Sequence, residues 1–121
     1  MCELFIKAEP NLWQNTTKSI RMQGQVTSIR LENHFWMILV EIAARDSLSL
    51  PQLLLRLYDE SVEEGHDMVN FASFLRVCCT RYQALQLSQD IPQDENQPIG
   101  SLDARQILQN EQERRATKAV C

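Results

Sequence analysis

Two kinds of hydrophobic spacing divide the chain. Between residues 18 and 31 the spacing is two: Ile20 and Met22 alternate with Ser19, Arg21 and Gln23, and beyond Gly24, Thr27, Ile29 and Leu31 alternate with Val26, Ser28 and Arg30. That period, with β-branched residues in it, predicts extended chain with one buried face. Gly24 marks a bulge, a turn or a close backbone approach. From Phe35 the spacing becomes helical. Phe35, Ile38, Leu39, Ile42 and Ala43 form one apolar stripe, with Glu32 or Asn33 as the start signal and Arg45-Asp46-Ser47 as the end. A second helix is predicted with Ser49 as its N-cap and Pro51 tolerated in its first turn. Leu50, Leu53, Leu54, Leu57, Tyr58 and Val62 give it a similar stripe, and Glu63-Glu64-Gly65 ends it. A third begins near Asn70 and places Phe71, Phe74, Leu75, Cys78, Tyr82 and Leu85 on one face.

The body so defined spans residues 18–87. Residues 1–17 form an N-terminal arm with Leu4, Phe5, Ile6, Leu12 and Trp13 as candidate anchors. Residues 88–121 read as a linker, punctuated by Pro92, Pro98 and Gly100, and a flexible or weakly helical tail. Leu102, Ile107 and Leu108 are too few to dock that tail firmly, so its deletion is expected to change stability little.

The order of the elements, a strand and then two helices joined by a short turn, raises a question of backbone satisfaction. A single strand leaves its amides and carbonyls unpaired. Within the chain only residues 18–23 or 3–7 offer a partner, and 18–23 either extend the strand or fold back as a hairpin. Pairing with the same strand of a second subunit also solves the problem, because a two-fold axis makes that contact self-complementary. Thr27, Ile29 and Leu31 then face the helices, and Val26, Ser28 and Arg30 face outward.

Composition narrows the function classes. The 44% apolar and 23% charged content is that of an ordinary globular protein, and its net charge of −4 argues against indiscriminate coating of nucleic acid. Lys7, Lys18, Arg21 and Arg30 nevertheless outnumber the acids Glu3 and Glu9 in the first thirty residues, and screening confines the reach of distant acids. Cys2, Cys78, Cys79 and Cys121 lack metal-ligand spacing and read as reduced thiols. Neither His34, in a first helical turn, nor His66, in a loop, belongs to a nucleophile or metal arrangement. Three glycines form no phosphate loop, so no catalytic role and no cofactor are expected. Residues 1–10 do not read as a signal peptide, and no apolar run approaches a membrane span, so a cytoplasmic, nucleoid-associated location is expected.

The stretch Thr27-Ser28-Ile29-Arg30-Leu31-Glu32, then Phe35-Trp36, Glu41-Ile42-Ala43-Ala44 and Leu48-Ser49-Leu50 resembles a bacterial branch of the ribbon-helix-helix proteins, which include the Arc and MetJ repressors. Asn70-Phe71-Ala72-Ser73-Phe74-Leu75-Arg76 is similar to the segment that follows in that branch. The resemblance, over about residues 18–87, implies a mainly α fold with a short β ribbon. It implies an intertwined homodimer with an intermolecular two-stranded antiparallel ribbon, here with a third helix. It further implies a transcriptional regulator, a repressor by occupancy, that reads double-stranded DNA through the major groove. Val26, Ser28 and Arg30 would contact bases, and Lys18 and Arg21 phosphate. Ser49 and Leu50 would hold a phosphate at the start of the second helix. The sequence departs from the family where Val26 offers only apolar contact, where Pro51 lacks an amide hydrogen, and where Ser47 replaces the usual turn glycine. The alternative is a homodimeric interaction module, antitoxin-like or an adaptor, that has lost DNA binding and engages a protein partner through residues 88–121.

Overall fold

The computed structural model describes residues 1–120. A short helix, α1 (Cys2–Ile6), and a 3-10 turn (Pro10–Trp13) lead into strands β1 (Asn15–Met22) and β2 (Gln25–Glu32). Four helices follow: α2 (Asn33–Arg45), α3 (Leu50–Glu63), α4 (Phe71–Leu87) and α5 (Ala104–Val120).

The two strands pair antiparallel with each other, and the connection is the two-residue turn Gln23-Gly24. Both turn residues have positive φ, 51° and 80°, a pairing that matches the right-handed twist of a tight hairpin. Residues 18–23 therefore fold back. The ribbon is completed inside one chain, where an intermolecular ribbon was expected, because a strand of equal length and matching alternation lies just two residues upstream. The hairpin also starts three residues earlier than the anticipated boundary at 18. The Asn33 amide donates to the Gln14 carbonyl (2.9 Å), the Asn33 side chain to the Asn11 carbonyl (3.0 Å), and Trp36 Nε1 to the Thr16 carbonyl (2.9 Å). These bonds clamp the end of the arm and the start of β1 onto α2.

Capping follows from local sequence. Ser49 closes a capping box at α3 with Gln52, and the Asn70 side chain accepts from the Ser73 amide at α4. Helix α2 ends in a Schellman arrangement, with the Leu48 amide donating to the Ala43 carbonyl (2.9 Å) and the Ser47 amide to the Ala44 carbonyl (3.1 Å). Ser47 takes the left-handed φ of 56° that a glycine adopts at less cost. The core gathers where β2, α2, α3 and α4 meet: Leu31, Leu39, Leu54 and Leu75, one from each, are fully buried, together with Cys79.

The segment after α4 departs from the expected linker and loose tail. Ile91 is buried, and Ile99, Leu102 and Ile107 pack against the core. The buried Arg45 guanidinium donates to three backbone carbonyls of this segment, Pro92 (2.9 Å), Asp94 (3.0 Å) and Gln97 (3.1 Å), and to the Tyr82 hydroxyl (3.3 Å). Asp46 accepts the Ile99 and Gly100 amides at 2.6 and 3.1 Å. Arg81 and Glu111 then tie α5 to α4 through two bonds of 2.9 and 2.6 Å, and Arg114 pairs with Asp90 at 2.7 Å. Polar anchors thus add to the few apolar residues that dock this segment. The Arg81 bonds hold the Glu111 carboxyl below its usual range.

Burial pushes the Cys78 thiol up to about 11 and the Cys79 thiol up to about 12. Both stay protonated near neutrality, so the nucleophilic thiolate is scarce. Peptide mapping after brief iodoacetamide treatment of the native protein at pH 8 is expected to find exposed Cys2 alkylated. Cys78 and Cys79 should react only after denaturation; equal rates at all three would refute the packing of α4. Because an unfolded thiol ionises near 9, stability should fall as pH rises from there toward the folded values. Cys121 lies outside the described residues.

Candidate nucleic-acid interface

Cross-strand register sorts the hairpin into two faces, since residues directly opposite each other point the same way. The pairs Thr16–Leu31, Ile20–Thr27 and Met22–Gln25 lie toward the helices, with Ile29 opposite Lys18. The pairs Asn15–Glu32, Thr17–Arg30, Ser19–Ser28 and Arg21–Val26 lie on the other face. Ile20, Met22, Ile29 and Leu31 are buried, whereas Thr17, Ser19, Arg21, Val26, Ser28 and Arg30 are exposed. The outer face is thus a row of hydroxyls bordered by two guanidinium groups, with one apolar side chain, Val26, near the turn.

Local contacts set the chemistry of that face. Ser19 and Ser28 are 3.3 Å apart, hydroxyl to hydroxyl, and present adjacent donors and acceptors. Arg21 folds toward the turn and donates to the Gly24 carbonyl at 3.3 Å. Glu32 is the acid of this face, and Arg76 on α4 binds it at 2.8 Å. That bond holds the Glu32 carboxyl below its usual range. The pair neutralises the acid that would otherwise oppose Arg30. In the arm, Glu3 is similarly paired with Lys7, at 3.3 Å.

The structure brings Val26, Ser28, Arg30 and Arg21 together on one surface. It separates Lys18 from them. Lys18 shares the parity of Ile20 and Ile29, so it extends on the helix-facing side, with its ammonium 5.6 Å from the centre of the Trp36 ring. Its expected place beside Arg21 on a phosphate-binding strip is corrected accordingly. Thr17 and Ser19, which the sequence did not single out, occupy the outer face. Their signal was the same alternation, continued on the β1 side of Gly24.

The start of α3 is a weaker anion site than the resemblance implied. The Ser49 amide already donates to Gln52 Oε1 at 2.8 Å, and the Ser49 hydroxyl accepts from the Gln52 amide. Pro51 has no hydrogen to give, which leaves Leu50 as the donor of the three. Among the described residues no group of three or more histidines, cysteines and acids could hold a metal, and no helix is long and apolar enough to cross a membrane.

No curated protein matches the chain. The solved structure of an uncharacterized protein from Bordetella pertussis Tohama I is similar, with 51% identity over 89% of this chain and 86% of the other, at a TM-score of 0.86. The model of the ribbon-helix-helix domain matches residues 15–83, a span that takes in the hairpin, α2, α3 and most of α4. The chain belongs to the ribbon-helix-helix family, whose members in general bind DNA and regulate transcription.

Proposed function

We propose that this protein is a sequence-specific transcriptional regulator that reads the major groove with the outer face of its hairpin and represses by occupying DNA rather than by catalysis. The observation that carries this reading is the makeup of that face: hydroxyls and two arginines, with Glu32 held by Arg76. Each β-hairpin is a two-stranded ribbon, and the major groove is ~12 Å wide, enough to admit one. Arg30 would fork onto guanine, Ser28 bond several bases, and Val26 meet a thymine methyl. Arg21, nearer the turn, suits a phosphate. The protein acts as a homodimer, as the family generally does. Exposed Met37 and Val40 on α2 and the strand-free edge of β2 are surfaces that a second copy would cover.

The Ser49 amide, already bonded to Gln52, favours a second reading, an interaction module with the same fold and no DNA affinity. Titration of the protein's own upstream DNA against a scrambled duplex, at several salt concentrations, separates the two. Arg30→Ala should cost about 1–3 kcal/mol for each guanine it no longer bonds and erase the preference for the specific duplex. Arg21→Ala should weaken both duplexes alike and flatten the logarithmic salt slope by ~0.9 for each phosphate left unmet. Indifference of binding to both substitutions would transfer the assignment to the interaction module.

A further inference from the structure

We propose that the cavity between α4 and the segment that follows it is a binding site for a small, uncharged, apolar molecule. The cavity measures about 280 Å³. Ile42, Leu57 and Leu85 form its wall on the body of the protein, and Ile99, Leu102 and Ile107 form the wall opposite. It exists because residues 91–108 pack back onto the body, so it is a feature of this chain's C-terminal extension and not of the hairpin.

Most of the polar groups at its border are already engaged. Arg81, the cation among the lining residues, donates twice to Glu111, a carboxylate that Arg115 also approaches at 3.5 Å. The Tyr82 hydroxyl donates to Glu41 at 2.6 Å and accepts from Arg45 and Gln86. Cys78 is a half-buried thiol, and loss of solvent keeps it protonated. A water molecule needs two to four polar partners, and among the described residues these walls offer few besides the Cys78 thiol and the free Nη1 of Arg81. An aliphatic cavity of ~150 Å³ takes up benzene, so this larger pocket, which opens to solvent, has room for two fused rings or a short acyl chain. A charged ligand would lose its hydration against mostly apolar walls, whose lining cation already has a carboxylate partner. The concave shape and mostly apolar lining are those of small-molecule sites in general.

Indole is the probe, followed by calorimetry and by amide chemical shifts of the labelled full-length protein. Saturable binding of one indole per chain is expected, with shifts confined to residues near 42, 57, 78–91 and 99–108. Ala104→Phe and Leu108→Trp, both at exposed positions lining the cavity, should fill it and weaken binding by at least about tenfold while circular dichroism stays unchanged. Indole-3-acetate, the anionic counterpart, should bind more weakly than indole. The proposal is overturned by unsaturable binding, by filled variants that bind as the natural chain does, or by tighter binding of the anion. It is equally overturned if the filled variants take up no indole less than the natural chain but change its oligomeric state, since a second copy would then own this face. Loss of sequence preference in Arg30→Ala leaves every one of these readouts untouched.

Discussion

Replacing Arg45 with alanine is expected to destabilise the protein by about 3 kcal/mol and to release the segment beyond α4, a loss rooted in unpaired backbone rather than in lost charge. The guanidinium is 3% exposed and has no direct carboxylate partner among the described residues. Its charge is met by the Pro92, Asp94 and Gln97 carbonyls, by the Tyr82 hydroxyl, and by the Tyr82 ring at 5.8 Å. Each buried carbonyl left without a donor costs ~1–3 kcal/mol, but these are partly reached by water once the loop loosens, so the costs do not add. Arg45→Lys should recover little, because one ammonium cannot span acceptors that the planar fork meets in three directions. Urea unfolding gives the free energy, and hydrogen exchange at the amides of residues 91–100 shows whether that segment opens first. A loss below about 1 kcal/mol with unchanged exchange would mean that apolar packing alone holds the extension.

Arg45 also shows where a sequence stops being legible. Its neighbours mark it as the polar end of a helix, and its partners are main-chain atoms roughly fifty residues on, where any side chain presents the same carbonyl. No residue pattern encodes such a contact. Ile91 and Ile99 are isolated apolar residues among polar ones, without the periodicity that reveals a packed face, yet Ile91 is 6% exposed. The helices of the body were legible for the opposite reason. Their stripes repeat over three or more turns, and Ser49 and Asn70 cap where their side chains predict.

The candidate interface lies between these cases. Strict alternation through β2 is enough to place Val26, Ser28 and Arg30 on one face. The same alternation through β1 puts Lys18 with Ile20 and Met22, and grouping it with Arg21 by charge ignores that parity. A hairpin could not be told from an extended intermolecular strand, because Gly24 is compatible with a bulge as well as with a turn. What decides it is Gln23, which joins Gly24 in the left-handed region and so supplies the second positive φ of a two-residue connection. Glutamine has no marked preference for that conformation, which is why the turn was not announced.

Adjacent substitutions on β2 should therefore have opposite consequences. Ile29→Lys is expected to unfold the protein, at about 3–5 kcal/mol, because an ammonium without a partner is placed among the core side chains. Ile29 is 4% exposed, and its cross-strand neighbour is Lys18, so the new charge also meets a like charge directly opposite. Ser28→Lys, one residue away, places the same side chain on the exposed face opposite Ser19. Its cost should stay within about 0.5 kcal/mol, since surface changes of this kind seldom exceed that. On a scrambled duplex, where Ser28 has no specific base to bond, the added cation should raise affinity and steepen the salt slope by ~0.9 for each phosphate it reaches. Circular dichroism during urea titration measures the stability pair, and salt-dependent binding to a scrambled duplex measures the electrostatic gain. If Ile29→Lys folds as well as Ser28→Lys, the hairpin does not pack on α2 through the face assigned to it. If Ser28→Lys folds and leaves affinity for the scrambled duplex unchanged at low salt, the outer face does not lie against DNA, even though the fold around it stands.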